Sequence, residues 1–528
     1  MLDILIINGT IIDGSGAPGK SGCIGIADGK LVNVSGTEEA ARVIDAKGCI
    51  VCPGFIDAHS HGDRLLGTED GRLFKTPQGI TTEQCGNCGS SQAPLTPERA
   101  RELKGLAGKD AVLDASGDWT DYEAYLRYAE ECRKSANVRF YVGHRILRQG
   151  VMGMDNRAPT RAEMERMCSM LREAMEAGAA GLSTGLVYVP ACYAQPKEIM
   201  KLAKVIAPYG GIYASHMRNE AEGLMDAVRE TIDVGRQTGT RVCISHHKVL
   251  GKRNWGMQKE TLRIISEANA EGVHVTCDQY PYTRNMTSLY SCMPNWYFSK
   301  GMTYMAEKLS DPVFRAQVKA EMESPDSPYD NYYLNAGDWE GVYITSMPKT
   351  KDAAGMNVAE YAKKIGKDPW EAYFDLMADN DCGGVGVYSS MCDEDVCDII
   401  RSPYCVVGTD GINTSWKVPG HPRGSSTFPH AINYFVKEKK ILTLEQMIHK
   451  MTGLTAERLR FANKGLLRDG YDADVVIFDL DRLQDLATYD DPNRLTEGME
   501  YVIVNGQCVY ENMALTGKYS GRLLRLNR

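Results

Sequence analysis

The chain of 528 residues has no block of lysine or arginine, and its net charge is −9. Both features weigh against nucleic acid as a partner and against an anionic membrane surface. No apolar run reaches the length that crosses a membrane. The apolar start Leu2 to Ile7 contains Asp3 and lacks a basic n-region, so no secretory leader is read there. Cysteine is present sixteen times but without framework spacing. Cysteines scattered in this way read as reduced thiols in a cytoplasmic protein. No serine elbow is read beside a Ser/His/Asp set, so a serine nucleophile is not expected. Histidine is sparse, with 10 in the chain, so a place where two recur is informative.

What is present is ordinary globular composition, 43% apolar and 24% charged, in a chain long enough for a large core. Residues 1–52 carry short strand patterns. Ile4 to Ile7 ends at Asn8-Gly9, a hairpin signal, and Cys23 to Ile26 ends at Asp28-Gly29. Residues 465–528 have the same texture, in Ala473 to Asp479, Tyr501 to Gly506 and Cys508 to Tyr510. The two ends are expected to make one small β-sandwich domain flanking residues 53–464.

The middle alternates strand and helix. Candidate strands end near His61, Cys88, Arg148, Gly185, Arg218, Lys248, Tyr282 and Gly411. Thr160 with Glu163 reads as a capping box before a helix. Eight strands with helices between them predict an α/β fold, a (β/α)8 TIM-like barrel with its active site at the strand C-termini. Gly383 to Ser389 reads as a ninth strand or a replacement for one. Residues 284–345 break the rhythm with Met286, Tyr290, Trp296 and Met302 among others, and read as an inserted lid of adaptable apolar side chains.

The polar groups at the predicted strand ends carry the chemistry. His59 and His61 stand at i and i+2, on one side of an extended chain. His216 and His246 each end a later strand, and Asp410 ends the last. Brought to one barrel mouth, these imidazoles and the carboxylate would make a metal site. Zinc suits such ligands. Cys88, followed by Gly89, could add a thiolate and bridge two ions, whereas Cys85 reads as core filler.

Together these motifs resemble a known family. Val51 to His61 is similar to the first-strand signature of the amidohydrolase superfamily. Gly86-Asn87-Cys88-Gly89, Gly185 to Pro190, Ser215 to Glu220, Ser245 to Lys248, Asp278 to Tyr282 and His421-Pro422-Arg423 resemble the N-acyl-D-amino-acid deacylase (D-aminoacylase) family within it. The resemblance runs over nearly the whole chain. It implies zinc-dependent hydrolysis of N-acyl-D-amino acids, with a small-molecule substrate as the partner. It implies that Cys88, His216 and His246 hold a tight zinc, that His59 and His61 serve a second, weaker site, and that Asp410 is the catalytic acid/base. Many superfamily members bridge two metals with a carbamylated lysine on the fourth strand. Ala180 to Gly185 has no lysine, which supports a cysteine bridge. His247 is a rival to His246, and strand alternation leaves room for only one.

The resemblance further assigns Tyr188, Lys248, Tyr280 and Arg423 to the substrate α-carboxylate. Gly424-Ser425-Ser426 departs from the family's tyrosine-containing turn after that arginine, which puts the placement of Arg423 in question. Apolar or aromatic substrate side chains are expected, because the lid offers Met, Trp and Tyr. The nearest alternatives are a dipeptidase releasing a C-terminal D-residue and a cyclic-amide hydrolase. Outside the hydrolases stand a silent metal-binding scaffold and a redox protein using Cys85 and Cys88.

Overall fold

The computed structural model describes residues 1–106, 119–326 and 328–526. Strands from both chain ends join in one nine-stranded sheet. In Leu2–Ile11 the sequence alternation buries Leu2, Ile4, Ile6 and Ile11 and exposes Asp3 and Asn8. Ile50–Pro53 then pairs antiparallel with Val475–Phe478, so that Val51 faces Ile477. These apolar faces pack with Ile26, Val475 and Ile503 into a core of their own.

Asp28-Gly29 makes a two-residue turn, with φ of 51° and 72° and Ala27 opposite Lys30. Asn8-Gly9 does not turn the chain. Asn8 adopts φ 56°, yet the strand runs on to Ile11 with a register break between Ile6 and Gly9. The left-handed tolerance of asparagine is spent on a bulge inside the strand. Glycine is needed beside it, because a Cβ at Gly9 would lie 2.5 Å from Val51 Cγ2.

Eight parallel strands follow in chain order. They are Phe55–Asp57, Ile80–Cys85, Asn137–Phe140 continued by Val142–Gly143, Gly181–Gly185, Ile212–His216, Arg241–Ile244, Val275–Gln279 and Cys405–Val407. Each pairs in parallel with the next. The last also lies beside the first: Ala58 donates its N–H to Val407 O at 3.1 Å, and Asp410 donates to His59 O at 2.8 Å. Most of the strands are buried along their length, as expected for a parallel sheet covered by helices. Arg161–Ala177 is such a helix, and Thr160 with Glu163 forms the expected capping box.

Two expectations change. The third strand stops at Gly143, not near Arg148, because His144–Met152 is a helix. Ile146, Leu147 and Met152 recur at helical spacing on its buried face. Gly383 to Ser389 is neither a ninth parallel strand nor a replacement. Its core, Val385–Tyr388, lies antiparallel between Asn285–Ser288 and Val342–Ser346 in a separate sheet. That sheet and the helices Met302–Lys308 and Pro312–Glu323 fall between the seventh and eighth parallel strands. Among the described residues no helix is long and apolar enough to cross a membrane.

One buried carboxylate ties the chain-end sheet to the parallel strands. Asp474 accepts from Lys464 Nζ at 2.7 Å, from Asn137 Nδ2 at 3.0 Å and from Asn505 N at 2.8 Å. Lys464 is 4% exposed and keeps only Asp472, at 3.0 Å, once Asp474 is removed. Breaking a buried pair on one side costs about 3–5 kcal/mol. Asp474→Ala is therefore expected to lower the unfolding free energy by an amount in that range, seen as a lower midpoint in chemical denaturation. An unchanged midpoint in chemical denaturation contradicts the role.

Candidate active site

The site is built where the parallel strands end. Asp57 accepts from Thr409 N at 2.8 Å, from Thr409 Oγ1 at 2.7 Å and from Lys75 Nζ at 2.7 Å. This clamp holds the end of the first strand against the end of the eighth, and so sets His59 and His61 beside Asp410. Cys88 follows the second strand in a tight loop. Asn87 Nδ2 donates to Gln84 O at 2.7 Å, and Gly89 N donates to Ser183 Oγ at 3.1 Å. Gly89 has φ 69°, and a Cβ there would lie 2.9 Å from Gly185 N.

Three non-glycine residues of the site adopt left-handed backbone: Cys88 at φ 53°, His246 at 36° and Asp410 at 46°. Each such conformation costs on the order of 1–3 kcal/mol and persists only where the surroundings enforce it. The strain falls on the residues whose side chains meet.

Those side chains form two overlapping donor sets: His59, His61, Cys88 and Asp410, and Cys88, His216 and His246. Within each set the donor atoms lie within 4.8 Å of one another, and every member is buried. Cys88 Sγ stands 3.3 Å from both His59 Nε2 and His246 Nε2. Asp410 Oδ1 stands 3.4 Å from His59 Nε2 and 3.3 Å from His61 Nε2. His247 turns away and pairs with Thr261 Oγ1 at 2.8 Å.

The donor set fits a divalent ion on its own chemistry. Both ring nitrogens of His216 are buried without a hydrogen-bond partner, although Glu220 Oε2 stands 3.5 Å from Nε2. Burial holds His216 and His246 well below the ordinary histidine range, and His61 down at about 4. Neutral imidazoles keep the lone pair that a metal uses. Burial also pushes the Cys88 thiol up, against the opposing pull of His59, so a thiolate here calls for a cation beside it. Burial alone would raise Asp410, but Arg423, His246 and His59 outweigh it and hold the carboxyl well below its usual range.

A cavity of about 480 Å³ opens over Cys88, His61 and Asp410. Tyr188 and Arg423 line its wall. Tyr188 Oη pairs with Thr287 Oγ1 at 3.0 Å. Arg423 opens the helix Arg423–Ala431; His421, whose Nδ1 accepts the Arg423 N–H at 3.0 Å, fixes that turn despite the divergent residues after it. Its Nη1 lies 2.9 Å from Asp410 Oδ2, its other terminal nitrogen donates to Met286 O at 3.2 Å, and its buried Nε has no hydrogen-bond partner. Tyr280 stands behind it, with the guanidinium 4.6 Å from its ring centre. Lys248 is not at the cavity wall. Its Nζ is 2.6 Å from Glu220 Oε1 and 2.6 Å from His246 Nδ1.

Two residues were missed from sequence. Asp278 Oδ1 accepts the His246 N–H at 2.8 Å and lies 3.1 Å from His59 Nδ1. Glu220 Oε1 lies 3.1 Å from His246 Nδ1. Both stand inside the motifs already singled out, as buried acids beside a histidine strand, which is how carboxylates orient metal-ligating imidazoles. Gly181 to Gly185 matches the Gly-x-Ser-x-Gly pattern, but it is a strand rather than a strand-to-helix turn. Ser183 Oγ is spent on Gly86 O and Gly89 N.

Parallel strands whose C-terminal ends gather buried nitrogen, sulfur and oxygen donors define a metal-binding α/β protein. The chain belongs to the amidohydrolase family, whose model matches residues 42–235 and 359–510. It is 33% identical to the D-aminoacylase of Alcaligenes xylosoxydans xylosoxydans over 99% of this chain and 97% of that one. A solved structure of N-acyl-D-glutamate deacylase from Bordetella bronchiseptica, with zinc and a phosphonate mimic of the tetrahedral intermediate, is 34% identical. It covers 99% of both chains at a TM-score of 0.83. A D-aminoacylase structure described by a binuclear centre, with one-metal activation and second-metal attenuation, is 31% identical. It covers 99% of this chain and 100% of that one at a TM-score of 0.82.

Because Cys88 belongs to both donor sets and Cys85 to neither, the two cysteines separate cleanly. Cys88→Ala is expected to lose bound zinc, and Cys85→Ala to keep it, by metal analysis of the purified proteins. Equal zinc in both variants rules out the Cys88 assignment.

Proposed function

We propose that the chain is a zinc-dependent hydrolase of N-acyl-D-amino acids, releasing a carboxylate and a free D-amino acid. One observation carries the reading above the others: Cys88 Sγ is common to both donor sets, and Asp410 stands in one of them under the substrate cavity. The zinc and the intermediate mimic of the 34% identical relative agree with that chemistry. Cys88, His216 and His246 would hold the tight ion, and His59 and His61, with Cys88, the weaker one. When bound, zinc supplies Lewis acidity and a water activated at neutral pH.

The chain's own residues do the rest. Arg423 holds Asp410 Oδ2 at 2.9 Å, which keeps the carboxylate ionised and leaves Oδ1 to take the proton of the attacking water. The same oxygen returns that proton to the leaving nitrogen. Tyr188 and Arg423 receive the substrate α-carboxylate from the cavity wall. Tyr280 backs Arg423, and Lys248 joins by exchanging Glu220 for substrate. Asp278 and Glu220 fix the imidazoles of His59 and His246.

The same reading takes the eight parallel strands as a closed (β/α)8 barrel over residues 53–464. It takes residues 1–52 and 465–528 as a small β-sandwich domain and 284–345 as a lid. The hydrogen bonds joining the first and eighth strands support the closure. Met286, Tyr290 and Met302 in the cavity wall support the lid. All sixteen cysteines are free thiols, in keeping with a cytoplasmic home.

A panel of N-acetyl-D- and N-acetyl-L-amino acids, dipeptides and hydantoins, run with and without zinc, tests the activity. Zinc-dependent turnover of the D-series is expected. Asp410→Asn should retain the tight zinc and lose roughly 10²–10⁴-fold in kcat, the usual worth of general acid/base help. Efficient hydrolysis of the L-series, or near-wild-type turnover by Asp410→Asn, contradicts these assignments.

A further inference from the structure

One buried acid of residues 284–345 reaches the layer that orients the histidines. Asp330 is 5% exposed. Its Oδ2 accepts the Glu220 N–H at 3.0 Å, and its Oδ1 accepts Asn335 Nδ2 at 2.8 Å. It forms no ion pair with any described residue. Glu220, Glu222 and Lys248 are the charged groups that act on it from the motifs opposite, and Tyr329 and Tyr332 are the titratable neighbours on its own segment. Glu222 is taken by Arg253. Lys248 Nζ is spent on Glu220 Oε1 and His246 Nδ1, each at 2.6 Å. One amine therefore serves two buried acids, and only Glu220 is in contact with it.

Burial first, and then the charge of Glu220, push Asp330 up to about 7, against the weaker pull of Lys248. Drawing Lys248 off Glu220 removes that pull and leaves the Glu220 charge less compensated. Both changes favour a neutral Asp330, reached by binding one proton from solvent. The surroundings accommodate either form. The Glu220 N–H needs only an acceptor, which the carbonyl oxygen of a carboxylic acid also supplies. Asn335 Oδ1 is buried without a hydrogen-bond partner. A half-turn of that amide replaces its donor by this acceptor, and a protonated Asp330 Oδ1 can then donate to it.

We propose that Asp330 is a positioning residue, which fixes Glu220 and takes up a proton when Lys248 leaves Glu220 for the substrate α-carboxylate. This rests on the assignment of Lys248 to the substrate made above and deepens it. The sign follows from the uptake. Below about pH 7 Asp330 already carries its proton and the substrate binds at full strength. Above that the proton has to be collected from solvent, so KM rises with pH until the carboxyl of the complex loses its proton as well.

KM and kcat of the zinc-loaded protein are measured between about pH 6 and about pH 8.5 with N-acetyl-D-leucine and with N-acetyl-D-leucinamide, whose carboxylate is masked. Binding of D-leucine is followed by calorimetry in two buffers of different ionisation enthalpy, which counts the protons taken up. KM for the acid should rise by roughly 3- to 10-fold over that range, the worth of a proton held half to one pH unit more tightly in the complex. KM for the amide should stay level. Asp330→Asn reproduces the hydrogen bonds of the protonated form. Its KM for the acid should therefore stay at the wild-type acid-side value throughout, and the change should fall on KM rather than on the pH profile of kcat. A purely structural role would move KM alike at every pH. A level KM for the acid in the wild type, or a wild-type pH dependence in Asp330→Asn, overturns the proposal. Should no substrate turn over, the hydrolase reading fails, and the calorimetry still decides on Asp330. Proton uptake with D-leucine that Asp330→Asn removes supports the proposal. Equal uptake in the two proteins, or no binding of D-leucine, rejects it.

Discussion

Everything at this centre depends on one sulfur that two sets of imidazoles share. Cys88 Sγ lies 3.3 Å from a histidine of each set, and burial alone would keep it a neutral thiol. A buried thiol beside the neutral imidazoles of His216 and His246, with both ring nitrogens of His216 unpaired, is an expensive arrangement unless a cation draws on those lone pairs. The backbone bears a second cost, since Cys88, His246 and Asp410 are all held left-handed. The fold supplies what holds them there: the Asp57–Thr409–Lys75 clamp, the glycine-dependent loop at Gly89, and the close approach of Ser183.

Around the donors runs a layer of acids and cations with separate tasks. Asp278 and Glu220 face the ring nitrogens turned away from Cys88. Arg423 holds one oxygen of Asp410 and leaves the other toward the histidines. The result is a carboxylate kept ionised beside the place where a proton must be moved, which is the arrangement general acid/base chemistry needs. The cavity above adds arginines that the metal chemistry does not use.

The sequence was most legible where residue type and strand end coincide. His59, His61, Cys88, His216, His246 and Asp410 could be picked out because each stands at or just past a predicted strand end, and the structure brings all six together. Thr160 and Glu163 were legible for a local reason, since a capping box spans four residues. Legibility failed where a local signal had two outlets. Asn8-Gly9 has the left-handed tolerance of a hairpin turn, but tertiary pairing with Val51 made it a bulge. The third strand was read too far, into His144–Met152, where Ile146, Leu147 and Met152 recur at helical spacing on a buried face. The contact of Lys248 with Glu220, 28 residues away in sequence, had no local signal.

The central claim, that one cysteine sulfur serves both donor sets, is tested most directly by zinc K-edge X-ray absorption on protein loaded with one and then two zinc ions. Sharing of Cys88 predicts a sulfur scatterer at about 2.3 Å beside nitrogen and oxygen at about 2.0–2.1 Å. It also predicts that the average of one sulfur per zinc persists when the second ion enters. A shell of nitrogen and oxygen alone in the one-zinc protein contradicts the account, and a halved sulfur average on adding the second zinc contradicts the sharing.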